Sequence, residues 1–248
     1  MKPALNALLQ HPAIWRGGEH SHAASAGVST GFAMLDDLFP GGGWPVGALT
    51  EILVEREGIG ELRLVLPLLA RLSKEARWLA WVSPPHLPYA PALARGGVEL
   101  SRLLLLDPAA IADARWAAEQ ALRSGACAAV LAWFPKTDER ALRRLQLAAE
   151  SGGACGLLFG SSRDADRSSP AALRLQLERA PRGLAVRILK RRGGAVAAPV
   201  WLDFDPQEAV EPQRREGAKK ARLSGMSDKF SNCYCPDESS LSRGMDGV

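Results

Sequence analysis

Cysteine and aromatic residues are scarce in this sequence, and no apolar run is long enough to span a bilayer; each shortage excludes something. There are four cysteines in 248 residues. Cys127 and Cys155 fall inside apolar stretches, whereas Cys233 and Cys235 lie in a polar tail. That distribution supplies neither a disulfide framework nor the paired Cys-x-x-Cys units of a zinc site, and it predicts buried free thiols. His20-Ser21-His22 offers two ligands at most, so no metal is expected. The longest apolar runs, Leu103–Leu106 and Ala126–Phe134, are strand-sized, far short of the ~20 residues of a membrane helix. Met1-Lys2-Pro3 is followed closely by Asn6, Gln10 and His11, which interrupts any secretory core. The expectation is a cytoplasmic protein with no membrane contact.

Charge is also unremarkable in amount, at +4 net, but not in placement. From residue 207 onward seven Lys/Arg face seven Asp/Glu, so the excess lies earlier. Arg174, Arg179, Arg182, Arg187, Lys190, Arg191 and Arg192 have only Glu178 as an acidic neighbour in sequence. This stretch is the candidate contact for a partner or for DNA phosphates, the alternative being a hairpin with arginines on its solvent face. No aromatics interleave with it, which argues against a platform for single-stranded nucleic acid. Of the seven tryptophans, Trp78, Trp81, Trp133 and Trp201 fall in strand-like runs and are expected in the core. Trp15 and Trp44 fall in linker-like sequence and are candidate exposed anchors.

What is present divides into three regions. Residues 1–27 read as a short helix and a linker. Residues 28–206 are dense in aliphatic runs punctuated by Gly and Pro. Residues 207–248 are polar and Ser-rich, a composition that cannot offset its own ordering entropy and so predicts disorder. The middle region alternates strand and helix signals. Strands are predicted at Ala48–Val54, Trp78–Val82, Leu103–Leu106, Cys127–Trp133 and Ala154–Phe159. A helix carries Leu62, Val65, Leu66, Leu69 and Leu72, with Pro67 expected to kink or shorten it. A short helix lies around Tyr89–Ala94. Another is predicted to open at Asp107-Pro108, and a further one at Thr137 that stops at Gly152-Gly153. After that, Leu173–Leu177 and Leu184–Leu189 alternate, and Val200–Phe204 follows, as antiparallel strands would. The fold class is α/β, a mostly parallel sheet flanked by helices with antiparallel strands at its C-terminal edge.

The junction at Glu51–Leu64 is where such a fold would place a phosphate loop. In Gly-x-x-x-x-Gly-Lys-Ser/Thr the glycines let backbone N–H groups wrap the phosphates, the lysine reaches the outer ones and the hydroxyl holds Mg²⁺. With Gly60 as the second glycine, the first becomes Glu55, the lysine Glu61 and the hydroxyl Leu62. Two like charges ~4 Å apart repel by roughly 4 kcal/mol at an effective dielectric of ~20. Glu55, Glu57 and Glu61 therefore oppose a triphosphate, and no cofactor or catalytic residue is expected. The acidic loop reads either as an ordinary turn or as a protein-contact surface. Strand Cys127–Trp133 ends in Ala132-Trp133, with no carboxylate for a metal.

Val28-Ser29-Thr30-Gly31-Phe32, Leu35-Asp36 and Gly41-Gly42-Gly43-Trp44-Pro45-Val46-Gly47 leading into Thr50-Glu51-Ile52 resemble the entry to the core of RecA-type recombinases. With the degenerate loop and Arg-rich last third, residues 28–206 resemble the ImuA family, RecA-like accessory proteins of translesion DNA synthesis. That resemblance implies a RecA-like core without a working phosphate loop and a non-catalytic adaptor of SOS-induced error-prone synthesis. The partners it implies are an ImuB-type Y-family polymerase homologue and an error-prone DNA polymerase III alpha-type subunit, with RecA as a further contact and DNA touched weakly or indirectly. The related SulA cell-division inhibitors share such a core, and the alternative reading is a SulA-like inhibitor that binds FtsZ. A RecA-like DNA-binding regulator or ATPase is the third.

Overall fold

In the computed structural model, residues 27–134, 136–192 and 198–204 are described. The expected N-terminal helix with Trp15, and the expected disordered tail after residue 206, lie outside them. In chain order the elements are α1 (Ala33–Asp36), β1 (Ala48–Val54), α2 (Glu61–Leu72), β2 (Trp78–Val82), α3 (Ala90–Arg95) and β3 (Leu103–Leu106). They continue with α4 (Ile111–Arg123), β4 (Cys127–Trp133), α5 (Glu139–Gly152), β5 (Cys155–Ser161), β6 (Leu173–Ala180), β7 (Gly183–Lys190) and β8 (Val200–Asp203). The strands form one eight-stranded sheet in the order β3-β2-β4-β5-β1-β6-β7-β8. All neighbours from β3 to β6 run parallel, and β6–β7 and β7–β8 run antiparallel.

The chemistry of the strands explains the order. Parallel neighbours require crossovers, and crossover helices cover both faces, so central strands read as unbroken apolar runs. β4 does so, and β1 is buried along its whole length although Thr50 and Glu51 interrupt its apolar run. Leu64, Leu68 and Leu72 of α2 pack with Ile52, Trp81, Leu131 and Leu157 on one face of the sheet. Ala114, Ala118 and Leu122 of α4 and Leu142 and Leu145 of α5 pack with Val82, Val130 and Leu158 on the other. The hairpin of β6 and β7 alternates because one face, with Leu173, Leu175, Leu177, Leu184, Val186 and Ile188, joins the α2-side core.

Several local expectations shift. Asp107 does not cap α4; the helix begins at Ile111 after Ala110, because residues 107–110 carry the chain from the edge of the sheet to the layer above it. Asp138, one residue after Thr137, is the cap of α5, its Oδ1 accepting from Ala141 N–H at 2.7 Å. Pro67 sits inside α2 without ending it. Its ring packs on Gly31, where a Cβ would come within 2.7 Å of Pro67 Cβ. Cys127 and Cys155 are both free and buried, and burial pushes the Cys155 thiol up to about 12.

The segment before β1 is a knot of hydrogen bonds. Val28 and Trp44 exchange backbone bonds at 2.9 and 2.7 Å, and a Cβ on Gly43 would lie 2.2 Å from the Val28 carbonyl oxygen, which only glycine avoids. Asp36 accepts from the Ser29 hydroxyl at 2.6 Å and from Thr30 N–H at 2.7 Å. Burial opposes its ionisation, but the bonds from Ser29 and Thr30 and the Arg71 guanidinium outweigh that and hold the carboxyl below its ordinary value. A carboxylate depressed by folding stabilises above its unfolded pKa, and that contribution is lost as pH falls through the folded value. Asp36→Ala is therefore expected to cost about 2 kcal/mol at neutral pH, read by urea unfolding. The cost should shrink as pH falls below the ordinary carboxylate value of about 3.9 and through the lower folded value, where the wild-type carboxyl itself becomes protonated.

Candidate functional site

The loop between β1 and α2, where a phosphate loop is expected, binds a carboxylate of its own chain. Gly60 stands before α2 at φ 110, a left-handed conformation that glycine adopts freely. The next residue, Glu61, is buried, and its carboxylate folds back over the loop. Oε1 accepts from Gly58 N–H at 2.9 Å and Oε2 from Gly60 N–H at 3.1 Å. Negative charge at the first turn suits the helix dipole, and these donors are of the kind that would face phosphate oxygens. The protein's own carboxylate thus sits in the cradle. Leu62 packs against the core, so the position of the magnesium-binding hydroxyl is structural. Glu55 and Glu57 are exposed on the rim.

Beside this loop a cleft of about 540 Å³ opens at the carboxyl ends of β1, β4 and β5, with Ser83 and Pro85 after β2 as one wall. Glu55, Arg56, Glu57 and Glu61 line one side, and Trp133, Phe134 and Phe159 the other. Trp133 stacks on Phe159 with ring centroids 4.6 Å apart and planes 5° from parallel, and Trp81 lies behind at 5.4 Å. This is the crevice in which open α/β sheets bind ligands.

The basic stretch does not form one surface. Arg174 is buried, and its guanidinium Nε donates to Glu51 Oε2 at 2.8 Å. Its remaining nitrogens serve the carbonyls of Asp164 (2.8 Å), Ala165 (3.1 Å) and Arg167 (2.7 Å). Glu51 and Arg174 face each other across the parallel β1–β6 register. Arg179 follows the parity of Leu175 and Leu177, whereas Arg187 pairs with Gln176 on the opposite face. Arg182 is in the turn, Lys190 Nζ donates to the Ser169 carbonyl at 2.6 Å, and Arg191 donates to the Leu38 carbonyl. Arg192 is exposed at the end of the hairpin, lining a separate depression near Pro45 and Glu150. Strand alternation, invisible to a count of charges, divides the arginines between two faces and the core.

The tryptophans are sorted differently from expectation. Trp44 is fully buried, edge-on to Phe39 at 5.3 Å, so it is core and not an anchor. Trp81 is core as expected, but Trp78 and Trp201 are exposed. Trp201 stands on β8, the last strand, and Trp78 opens β2 beside the opposite edge.

That opposite edge is the feature the sequence concealed. β3 has one neighbour, β2. Leu104 and Leu105 point to opposite faces of the sheet, and each is 40% exposed. Leu100 and Trp78 are exposed nearby, and the Arg102 guanidinium lies 5.9 Å from the Trp78 ring centroid. An apolar run of four leucines resembles a buried parallel strand, yet its place at the end of the sheet leaves its backbone edge unpaired among the described residues.

Comparison with known proteins finds relatives of this sequence. The family model "Cell division inhibitor SulA" matches residues 47–156, that is, β1 to the start of β5. Among curated proteins, the cell division inhibitor SulA of Serratia marcescens is 30% identical over 118 residues, 48% of this chain and 70% of that protein. The SulA of Edwardsiella piscicida is 38% identical over 96 residues, 39% of this chain and 57% of that protein. Among solved structures, SulA from Pseudomonas aeruginosa is 32% identical, covering 46% of this chain and 98% of that one, with a TM-score of 0.40. The family model and the curated relatives overturn the expected adaptor role in translesion synthesis. The relatives are division inhibitors, and the ImuB-type and polymerase partners fall with that role. The degenerate loop on which the ImuA resemblance leans lies inside the segment that the SulA family model matches.

Proposed function

We infer, because this chain belongs to the SulA family of cell division inhibitors, that it arrests bacterial division by binding FtsZ, as part of the SOS response and without catalysis. The observation that carries this is the coincidence of the family-matched segment with an apolar sheet edge that is unpaired among the described residues. Residues 47–156 contain Trp78, Leu100, Leu104 and Leu105, whereas the arginines of β6 and β7 lie outside it. Exposed aromatic and aliphatic side chains beside an unpaired strand offer both means of recognition available to a sheet, pockets for side chains and hydrogen bonds for a partner backbone. Action on FtsZ assigns the protein to the cytoplasm. No described helix is long and apolar enough to cross a membrane.

A RecA-like descent of the core is part of this reading. It is supported by the central β1, the loop-and-helix junction that follows it and the entry knot around Asp36. The absence of catalysis is supported by Glu61, whose carboxylate takes the N–H groups of Gly58 and Gly60.

Induced expression in a rod-shaped bacterium is expected to give filaments within a few generations, and the purified chain should reduce the sedimentable fraction of FtsZ polymer. Unchanged cell length at equal expression would remove the proposal. Titration calorimetry with ATP and Mg²⁺ is expected to show no binding, and a micromolar affinity would remove its non-catalytic part.

A further inference from the structure

The cleft beside the closed loop is not explained by the sheet edge, and its walls have a chemistry of their own. Nucleotide-binding folds put anion-binding groups at this position. Here three carboxylates, Glu55, Glu57 and Glu61, line one side together with a single guanidinium, Arg56, and Trp133 and Phe159 line the other. Glu61 is committed to the loop amides, which removes the amides as donors for any incoming anion. Glu55 and Glu57 are exposed at the rim, and among the described residues no ion pair engages either. An acidic rim over an aromatic floor attracts the opposite kind of ligand: π-systems draw a guanidinium or ammonium to them, Trp most strongly, and carboxylates pair with guanidinium in fork geometry.

We propose that this cleft is a binding site for a cationic side chain, arginine in preference to lysine, presented by an extended segment of a partner protein. The volume, about 540 Å³, falls within the range of sites that enclose small ligands and anchor residues. Arginine is preferred because its planar group can stack on an aromatic ring and pair bidentately at once, which a compact ammonium cannot do. Arg56, the one cation in the lining, is exposed. The occupant is identified by charge complementarity, since a nucleotide or an acidic peptide would meet the carboxylates. The site is separate from the β3 edge and stands whether or not that edge binds FtsZ.

The test uses the full-length chain, an acetylated tetra-arginine amide as probe, and tetra-lysine and tetra-glutamate amides as comparators. NMR titration is expected to move the Trp133 indole N–H, assigned with Trp133→Phe, saturably with tetra-arginine. Tetra-lysine should bind severalfold more weakly, and tetra-glutamate should not bind. The double variant Glu55→Gln, Glu57→Gln alters only exposed side chains and is expected to fold normally by circular dichroism and to bind tetra-arginine at least tenfold more weakly. The proposal is overturned if tetra-arginine gives no saturable shift, if it shifts other signals while Trp133 stays still, or if the double variant binds as tightly as the parent. Binding of tetra-glutamate at the same indole would overturn it equally.

Discussion

Replacing Leu104 and Leu105 together with glutamate is expected to abolish division arrest while leaving the protein folded. Both side chains are already substantially exposed on the edge strand, so charging them removes little from the core, and edge charges are a common device against strand-to-strand association. In a complex the same residues would sit where the partner excludes water. Apolar hot spots cost more than 2 kcal/mol each when truncated, and buried unpaired carboxylates cost further. Loss of at least about a hundredfold in affinity for FtsZ follows, measured by sedimentation or fluorescence anisotropy, with normal cell length on expression. Trp78→Ala should act in the same direction by about tenfold. If the double glutamate variant still produces filaments at wild-type levels, the β3 edge is not the inhibitory surface, whatever the family.

Arg174→Ala is expected to have the largest effect on stability of any single change. Breaking a buried ion pair from one side leaves its partner charged and unsolvated, at a cost of about 3–5 kcal/mol, a large part of a typical domain's total. Arg174 does more than pair with Glu51, because its other nitrogens hold the carbonyls of Asp164, Ala165 and Arg167. Those bonds pin the turn between β5 and β6 to the sheet. The asymmetry is testable by urea denaturation. Glu51→Gln retains an acceptor for Nε and should cost only about 1–3 kcal/mol. The double change Glu51→Leu with Arg174→Met removes both charges, yet it should recover only part of the loss, since the three carbonyls stay without donors. Full recovery would show that the ion pair alone matters and that the turn carbonyls find water.

Much of the fold was legible because its strands are apolar runs bounded by Gly and Pro. Ala48–Val54, Trp78–Val82, Leu103–Leu106 and Cys127–Trp133 are found at the limits read from sequence. The start of α4 at Ile111 departs from the sequence expectation because Asp107-Pro108 has good capping chemistry but lies at the end of an edge strand. At the candidate site, the unsuitability of Glu61 for a nucleotide followed from charge, but its direction did not. A rim of repelling carboxylates and a single carboxylate bonded inside the loop share one sequence. The burial of Arg174 is hidden from local sequence for a related reason: its partner Glu51 lies 123 positions away, and no local pattern marks such a pair.

The amino-acid sequence by itself determined which segments become strands and helices, because hydrophobic period and turn chemistry are local. It also determined that the loop after β1 carries carboxylates where phosphate binding needs a lysine. Only the tertiary structure decided which apolar residues are covered. Leu104 and Leu131 are chemically alike, but one strand has a neighbour on one side and the other on both. Burial is a property of the whole sheet, and so the same leucines that read as core become the surface through which this protein is proposed to act.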